Sequence, residues 1–242
     1  MKLLSALIAV ILSGTVLSAA EDHLIGHWDF ADANGNAVPG KPGPAGTIIR
    51  LGKSSEIVER AGRKMLKIAN DFKERNNSGG FLVRKMPLNP VKPFTIICNF
   101  YFDQEINYRE TKEFFSISDG EKRQGFRVFY TWGSLVIRTG DGKKLTQVGS
   151  KAGTFRMPFG RLAQLTAVYD GKTAVIYVDG KKIAEGAFDI LPCKNRNLAF
   201  GSIGNGFAYP LNGSLGEIWV YDRAFSAQEV AEKYLKERES QE

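Results

Sequence analysis

The carboxylates of this chain offer few arrangements that could perform catalysis. A retaining glycosidase needs two carboxyl groups flanking one bond, and alternate positions of an extended strand supply such a pair. Asp103 and Glu105, which follow the apolar run 94–102, are the one alternate acidic pair beside a strongly predicted strand. Because they stand at its end, we interpret them as a solvated loop entry and expect no catalytic residue. A glycoside hydrolase or lyase stays as an alternative.

Metal-binding patterns are weak as well. His23 and His27 are four residues apart, a spacing that suits a zinc pair on a helix but separates two strand side chains by about 13 Å. The surrounding residues predict a strand, so we expect no metal site there. Asp32, Asn34 and Asn36 place three oxygen-bearing side chains at alternate positions. We interpret them as an ordinary turn, with a calcium loop as the alternative.

The two cysteines, Cys98 and Cys193, leave two readings open. Thiols of exported proteins are often oxidised, but a bridge requires Cα atoms within about 7 Å. The spacing does not show that these residues meet, so a disulfide and two free thiols both stay open. Cys98 shares a strand face with large apolar residues, which favours a buried, inert thiol.

Aromatic side chains give the strongest indication of binding, because the C–H faces of sugar rings stack on flat apolar surfaces. Trp219 is predicted on the strand face opposite Ile218 and Val220. Trp132 lies at the hairpin tip beside Gly133, where the guanidinium of Arg138 could also pair with a carboxylate or sulfate. A third candidate group lies in the loop 204–210. The predicted ligand-binding residues are Trp219, Trp132, Tyr209, Asn205, Arg138 and Glu217. The alternative is that loops or a second layer cover these rings.

Short β-strands must position these candidates. Runs rich in Val, Ile, Phe and Tyr alternate with Gly, Asp and Asn, and in the run 94–102 every second residue, from Phe94 to Phe102, is apolar. Asp-Gly pairs at positions 119, 141, 170 and 179 suit tight hairpin turns. The sequence therefore predicts an antiparallel, all-β fold.

Two further segments complete the predicted organisation. A helix at about 226–237 is indicated by Ser226 and Glu229, which fit a capping box. At the other end, basic Lys2, an apolar stretch and the small residues before position 21 predict a signal peptide, 1–20, cleaved after Ala20. We therefore expect a secreted or periplasmic protein with one domain, 21–242, because all-β sandwiches of about 200–250 residues form single domains.

The formal net charge of +7 restricts the partners. The basic residues are dispersed, which is typical of solvated turns; attraction to an acidic polysaccharide is the sharper alternative. A basic stripe with interleaved aromatics is missing, so nucleic acid is a poor candidate. No segment after the leader approaches the ~20 apolar residues that cross a bilayer, so we expect no membrane-embedded part.

Several motifs resemble, in order, those of the laminin G-like, concanavalin A-like jelly-roll domains of bacterial exported proteins. The resemblance runs from about 24 to 235, through His27-Trp28-Asp29-Phe30, Phe94-Thr95-Ile96, and the stretches 167–171, 176–181 and 211–226. It implies a two-layer antiparallel β-sandwich. Calcium-binding relatives carry an acid in the closing strand where Gly216 stands here, so we expect no cofactor and keep calcium as an alternative.

These observations together predict an exported, non-catalytic, lectin-like module that binds a poly- or oligosaccharide. The fold class alone does not decide this, because the same sandwich carries lectins, glucanases, adhesion modules and spacers. A protein-binding or structural module of a cell envelope is therefore a second prediction, and an enzyme of the same fold is the third.

Overall fold

The computed structural model describes residues 22–69, 78–119, 124–203 and 209–239. The predicted signal peptide and Asn205 lie outside these ranges. The described residues form two antiparallel sheets, a short 3-10 helix at Phe30–Asp32 and one α-helix, α1 (Ala227–Glu239). Among them, no helix combines the length and the apolar character that a membrane span requires.

The strands, in chain order, are β1 (Leu24–Trp28), β2 (Ala37–Val38), β3 (Gly46–Ile49), β4 (Ser55–Arg60), β5 (Arg63–Ile68), β6 (Gly80–Val83), β7 (Phe94–Tyr101), β8 (Lys112–Asp119), β9 (Gln124–Thr131), β10 (Ser134–Gly140), β11 (Leu145–Gly149), β12 (Leu162–Tyr169), β13 (Thr173–Val178), β14 (Lys181–Ala187), β15 (Leu198–Phe200) and β16 (Gly213–Tyr221). The first sheet has the order β14-β13-β12-β7-β16-β5-β4, and β1 also pairs with β16. The second sheet has the order β11-β10-β9-β8-β15-β6-β3-β2.

The core lies between the two sheets and follows the predicted alternation. In β7, Phe94, Ile96, Cys98 and Phe100 all belong to the main core and are fully buried. Ile97 belongs to a separate apolar cluster on the other face of the same strand. The two-layer antiparallel sandwich is therefore confirmed, because one strand sends successive side chains to opposite sides of its sheet.

Asp-Gly turns join neighbouring strands where the sequence predicts them. Asp141-Gly142 lies between β10 and β11, and the pairs at 170 and 179 connect β12 to β13 and β13 to β14. The Asp141 carboxylate accepts hydrogen bonds from the amides of Lys143 and Lys144 at 2.8 and 2.6 Å, and Gly142 has a φ of +90°. Gly120 of the remaining pair lies outside the described residues.

The helix α1 packs on the outer face of the first sheet, not between the sheets. Val230 of α1 and Phe225 before it join a second apolar cluster with residues of β7, β12, β13 and β16. The predicted capping box is confirmed, because Ser226 Oγ accepts from Glu229 N at 3.2 Å and Glu229 Oε2 accepts from Ser226 N at 2.8 Å.

Both cysteines are free thiols in this fold. Cys98 lies in the main core at 0% exposure, while Cys193 lies half-buried in the segment before β15. Of the two readings that the sequence left open, the structure has the one without a bridge.

Candidate ligand-binding face

The outer face of the second sheet gathers charged and aromatic side chains on neighbouring strands. In β9, Phe126, Val128 and Tyr130 belong to the core, so Arg127 and Phe129 between them point to the outer side. Arg138 of β10 is the direct cross-strand partner of Arg127. We call this surface, with Glu113 of β8 and Tyr209, the arginine–aromatic face.

A buried ion pair anchors this face. Glu113 has 0% of its side chain exposed and accepts two hydrogen bonds from Arg127, at 3.1 Å from Nε and 2.7 Å from Nη2. Burial raises the pKa of Glu113, and the charge and hydrogen bonds of Arg127 oppose that rise. Because two parallel hydrogen bonds fix the plane of a guanidinium, Arg127 is held in one orientation.

Guanidinium groups and aromatic rings stack alternately above this anchor. The Arg127 guanidinium carbon lies 5.0 Å from the Phe129 ring centroid and 5.6 Å from that of Tyr209. Arg138 lies over Phe129 at 4.6 Å, and its Nε and Nη2 donate to Gln147 Oε1 at 3.0 and 2.7 Å. The result is a row of flat groups in which Tyr209 alone is largely open to solvent, at 48% exposure.

The predicted candidates Tyr209 and Arg138 thus belong to one face. The Tyr209 carbonyl accepts from the Glu113 amide at 3.0 Å, which places Tyr209 beside β8. A ring with one exposed side and a guanidinium behind it can stack on a sugar or another planar apolar surface.

Trp132 lies at the end of the hairpin that connects β9 and β10, and it is exposed as predicted. Its ring is 58% exposed, and Trp132 and Gly133 both have positive φ, +48° and +65°, as a tight hairpin turn requires. The exposed Tyr108 packs against it edge-on, with centroids 6.4 Å apart. Trp132 follows Phe129 by three residues, or about 10 Å of strand, so both rings belong to the same end of the sheet.

The expectation of an exposed Trp219 ring is wrong. Trp219 does lie on the strand face opposite Ile218 and Val220, but α1 covers that face and leaves the ring 4% exposed. One ring face stacks on His27, with centroids 5.3 Å apart, and Lys233 of α1 places Nζ 4.2 Å from the ring centroid. The ring therefore packs between the sheet and α1. The sequence had left open the alternative that a second layer covers this ring.

Glu217 is separated from the arginine–aromatic face by the thickness of the sandwich. It accepts from Arg63 Nη1 at 2.6 Å and lies 3.3 Å from His27 Nε2. Burial alone would raise the pKa of Glu217, but the hydrogen bond to His27 and the charge of Arg63 outweigh it and lower the pKa. This network belongs to the packing of α1, so Glu217 does not join Tyr209 and Arg138.

The acidic pair 103/105 is divided between two arginines. Asp103 pairs with Arg60 at 2.9 Å, and Glu105 pairs with Arg156 at 2.8 Å. All four side chains are at the surface, and each carboxylate neutralises a cation of a different segment. Both residues line one cleft of about 420 Å³, where each carboxylate is already paired with a guanidinium, an arrangement typical of surface ion pairs.

The residues that the sequence offered as possible metal ligands form ion pairs and turn hydrogen bonds instead. His23 pairs with Asp222 at 2.8 Å, and Asp32 pairs with Lys41 at 3.0 Å. Asn34 and Ala37 exchange backbone hydrogen bonds of 2.9 and 3.1 Å, so the oxygen-rich segment is a turn. Across the ranges that the structure describes, no group of three or more His, Cys, Asp or Glu is placed to hold a metal ion.

Sequence reasoning missed Glu113, Arg127 and Phe129. The available signal was a charged residue inside an apolar run on two neighbouring strands, at Glu113 before Phe114 and at Arg127 after Phe126. Either position alone suggests an ordinary solvent-facing charge, and only the pairing of β8 with β9 brings the two together.

Comparisons with known proteins agree with this architecture. Residues 75–231, more than half of the chain, match the laminin G family described as the concanavalin A-like lectin/glucanases superfamily. A comparison with curated protein sequences found no match.

Three of the solved structures that resemble the chain are binding domains. The binding domain of Paraclostridial Mosquitocidal Protein 1 is 15% identical, with a TM-score of 0.67, covering 90% of this chain and 53% of that one. The binding domain of botulinum neurotoxin DC in complex with SialylT is 9% identical, with a TM-score of 0.66 and coverages of 89% and 52%. The same binding domain in complex with rat synaptotagmin II is 9% identical, with a TM-score of 0.68 and coverages of 90% and 52%. The chain therefore spans about half the length of these structures, and at such identities the likeness shows the fold.

Proposed function

This chain belongs to the concanavalin A-like lectin/glucanase superfamily, and from that premise we propose that it is an exported module that binds carbohydrate without catalysing a reaction. The fold carries functions of several kinds, so the proposal depends on the site and not on the fold.

The observation that carries the proposal is the stack of the arginine–aromatic face. Arg127 is fixed by Glu113 and lies between Phe129 and the exposed ring of Tyr209. Stacking on an aromatic ring combined with hydrogen bonds from a fixed guanidinium provides both contacts that a sugar ring needs, an apolar surface and oriented donors. Trp132 offers a further exposed ring at the same end of the sheet. A structural neighbour in complex with SialylT adds support of a general kind.

Affinity electrophoresis through gels that contain neutral polysaccharides tests the proposal. We expect retardation of the wild type, and weaker retardation of Tyr209→Ala and Trp132→Ala because each loses a stacking surface. Leu51→Ala is the control, since Leu51 is also an exposed apolar residue, at 37% exposure, but lies in the segment before β4 of the other sheet. Equal mobility of wild type and variants on every polysaccharide would overturn the proposal. Retardation that persists in the presence of a metal chelator would exclude calcium-dependent binding.

Export is tested separately. Mass spectrometry of the protein recovered from the periplasm or the medium of its host should find Glu21 as the first residue. An intact Met1 on protein recovered from the cytoplasm would contradict the predicted signal peptide.

A protein-binding module is the second candidate, because a second solved structure of that neighbouring binding domain is in complex with rat synaptotagmin II. This function predicts capture of a defined envelope or receptor protein by the wild type, with no retardation in polysaccharide gels. A pull-down with the wild type and Tyr209→Ala compares the two functions on the same surface.

A further inference from the structure

A cleft lies against the outer face of the first sheet, beside the last turns of α1. Its volume is about 910 Å³, in the range of about 300–1,000 Å³ that is common for ligand pockets. Asn99 and Tyr101 of β7 and Gln164 of β12 contribute to its floor, and Tyr234 of α1 contributes to its wall. This cleft is on the opposite side of the sandwich from the arginine–aromatic face.

The floor contains two buried amide side chains that do not satisfy each other. Asn99 and Gln164 are direct cross-strand partners and are only 3% and 2% exposed. Gln164 Nε2 donates to Asn99 Oδ1 at a long 3.5 Å. Asn99 Nδ2 and Gln164 Oε1 then have no hydrogen-bond partner among the described residues. Exchanging oxygen and nitrogen in both amides changes nothing, since one donor and one acceptor again remain unpaired.

Unpaired polar atoms in such a position indicate a ligand group. A buried donor or acceptor without a partner is unfavourable, and a ligand that pairs with it recovers that free energy. A donor beside an acceptor matches neighbouring hydroxyls, because each hydroxyl both donates and accepts. Both unpaired atoms are sealed from solvent, so a hydroxyl reaches them only after side chains of the cleft wall rotate.

The rim of the cleft has an excess of positive charge. It carries four cationic side chains against two anionic ones, namely Arg156, Arg161, Lys181 and Arg238 against Asp179 and Glu237. Arg161 pairs with Asp179 at 2.5 Å inside the cleft. Arg156 pairs with Glu105, which lies outside the cleft, so its charge is balanced as well, and the positive excess at the rim comes from Lys181 and Arg238 against Glu237. A carboxylate of the ligand therefore meets a favourable potential at this rim.

We propose that this cleft binds a uronate unit of an acidic polysaccharide. The hydroxyls of the sugar pair with the free amide donor of Asn99 and the free acceptor of Gln164, and its carboxylate lies at the cationic rim. An acidic peptide supplies the carboxylate but not the neighbouring hydroxyls. The site is independent of the arginine–aromatic face, so the chain holds two ligand sites on opposite sheets.

Titration calorimetry with oligomers of galacturonate, glucuronate and mannuronate tests the proposal, with the carboxyl-reduced oligomers and an oligoglutamate as matched probes. We expect at least one uronate oligomer to bind, and its reduced form and oligoglutamate to bind about tenfold more weakly or not at all. The double variant Asn99→Leu/Gln164→Leu should lose that binding by about tenfold or more, since it removes both unpaired atoms. Lys181→Gln should weaken binding and reduce its dependence on salt.

The variants also separate the two sites. Tyr209→Ala should leave uronate binding unchanged, and thermal unfolding of the double variant should show a fold at least as stable as the wild type, because buried unpaired polar atoms have been replaced by apolar ones. Uronate binding that survives the double variant, that needs Tyr209, or that equals oligoglutamate binding would overturn the inference. Absence of uronate binding would overturn it too, and would leave binding of neutral sugars at the other face untouched.

Discussion

The indole ring of Trp219 and the imidazole ring of His27 stack almost in parallel, with centroids 5.3 Å apart and planes 7° from parallel. His27 belongs to β1 and Trp219 to its neighbour β16, and the two are direct cross-strand partners. Lys233 of α1 reaches the same ring. One contact thus joins the opening strand, the closing strand and the helix.

Truncation of this ring should therefore affect stability. We expect Trp219→Ala to lower the free energy of unfolding by about 3–5 kcal/mol, the usual cost of removing a buried aromatic side chain. Urea denaturation measures the change. Trp132→Ala is the control, because Trp132 is exposed and its loss should change stability by less than about 0.5 kcal/mol. If the two variants were equally stable, the helix would not depend on the Trp219 contact.

Glu217 should make the stability of the fold depend on acid. Its pKa is lowered in the folded state by the hydrogen bond to His27 and the charge of Arg63, relative to the pKa of a glutamate in an unfolded chain. Its stabilising contribution is fully present above that unfolded value and is lost as the pH falls through the folded pKa. We therefore expect Glu217→Gln to be less stable than the wild type at neutral pH, and the difference to shrink on acidification.

Denaturation curves between pH 7 and pH 3 measure that difference. Glu56→Gln, which removes an exposed glutamate of β4, controls for the general loss of one negative charge. A difference between wild type and Glu217→Gln that grows as the pH falls would contradict the assigned role.

Removing one partner of the Glu113–Arg127 ion pair should destabilise the fold strongly, whereas replacing both partners with apolar residues should destabilise it little. Glu113→Ala leaves the Arg127 guanidinium without its buried partner, so we expect a loss of about 3–5 kcal/mol. The double variant Glu113→Leu/Arg127→Met removes both charges and should recover most of that loss. Chemical denaturation of the single and double variants measures the coupling, and simple additivity would argue against a tightly coupled pair.

The two thiols should differ in reactivity. Burial raises the pKa of Cys98 far above its usual range, and raises that of the half-buried Cys193 to about 11. A thiol reagent at pH 8 should therefore leave Cys98 untouched in the native protein and react slowly with Cys193. Both should react in guanidinium without prior reduction. One reactive thiol or none in the denatured, unreduced protein would indicate a bond that this fold does not contain.

Local patterns predicted the fold because they reflect short-range rules. The alternation in 94–102 placed Phe94, Ile96, Cys98 and Phe100 in the core, and Ser226 with Glu229 marked the start of the helix. Each of these depends on residues within one strand or one helical turn, where the geometry is fixed by the backbone.

The sites depend on residues that are distant in the sequence. Gln164 faces Asn99 across two strands that are more than sixty residues apart, and α1 covers Trp219 from a separate element. Alternation assigned Trp219 to the correct strand face, but it says nothing about which layer covers that face. Only the register between strands and the docking of the helix contain this information.

The position of β16 constrains how the chain can acquire its shape during synthesis. This strand, the last of the strands that the structure describes, lies inside the first sheet, with β7 on one side and both β5 and β1 on the other. The early strands β1 and β5 are separated from β7 by β16. The native order of this sheet therefore cannot form until Tyr221, the last residue of β16, has left the ribosome. Contacts between such remote segments form slowly. A nascent chain stalled before Gly213 should consequently remain sensitive to protease, and one released after the helix should become resistant.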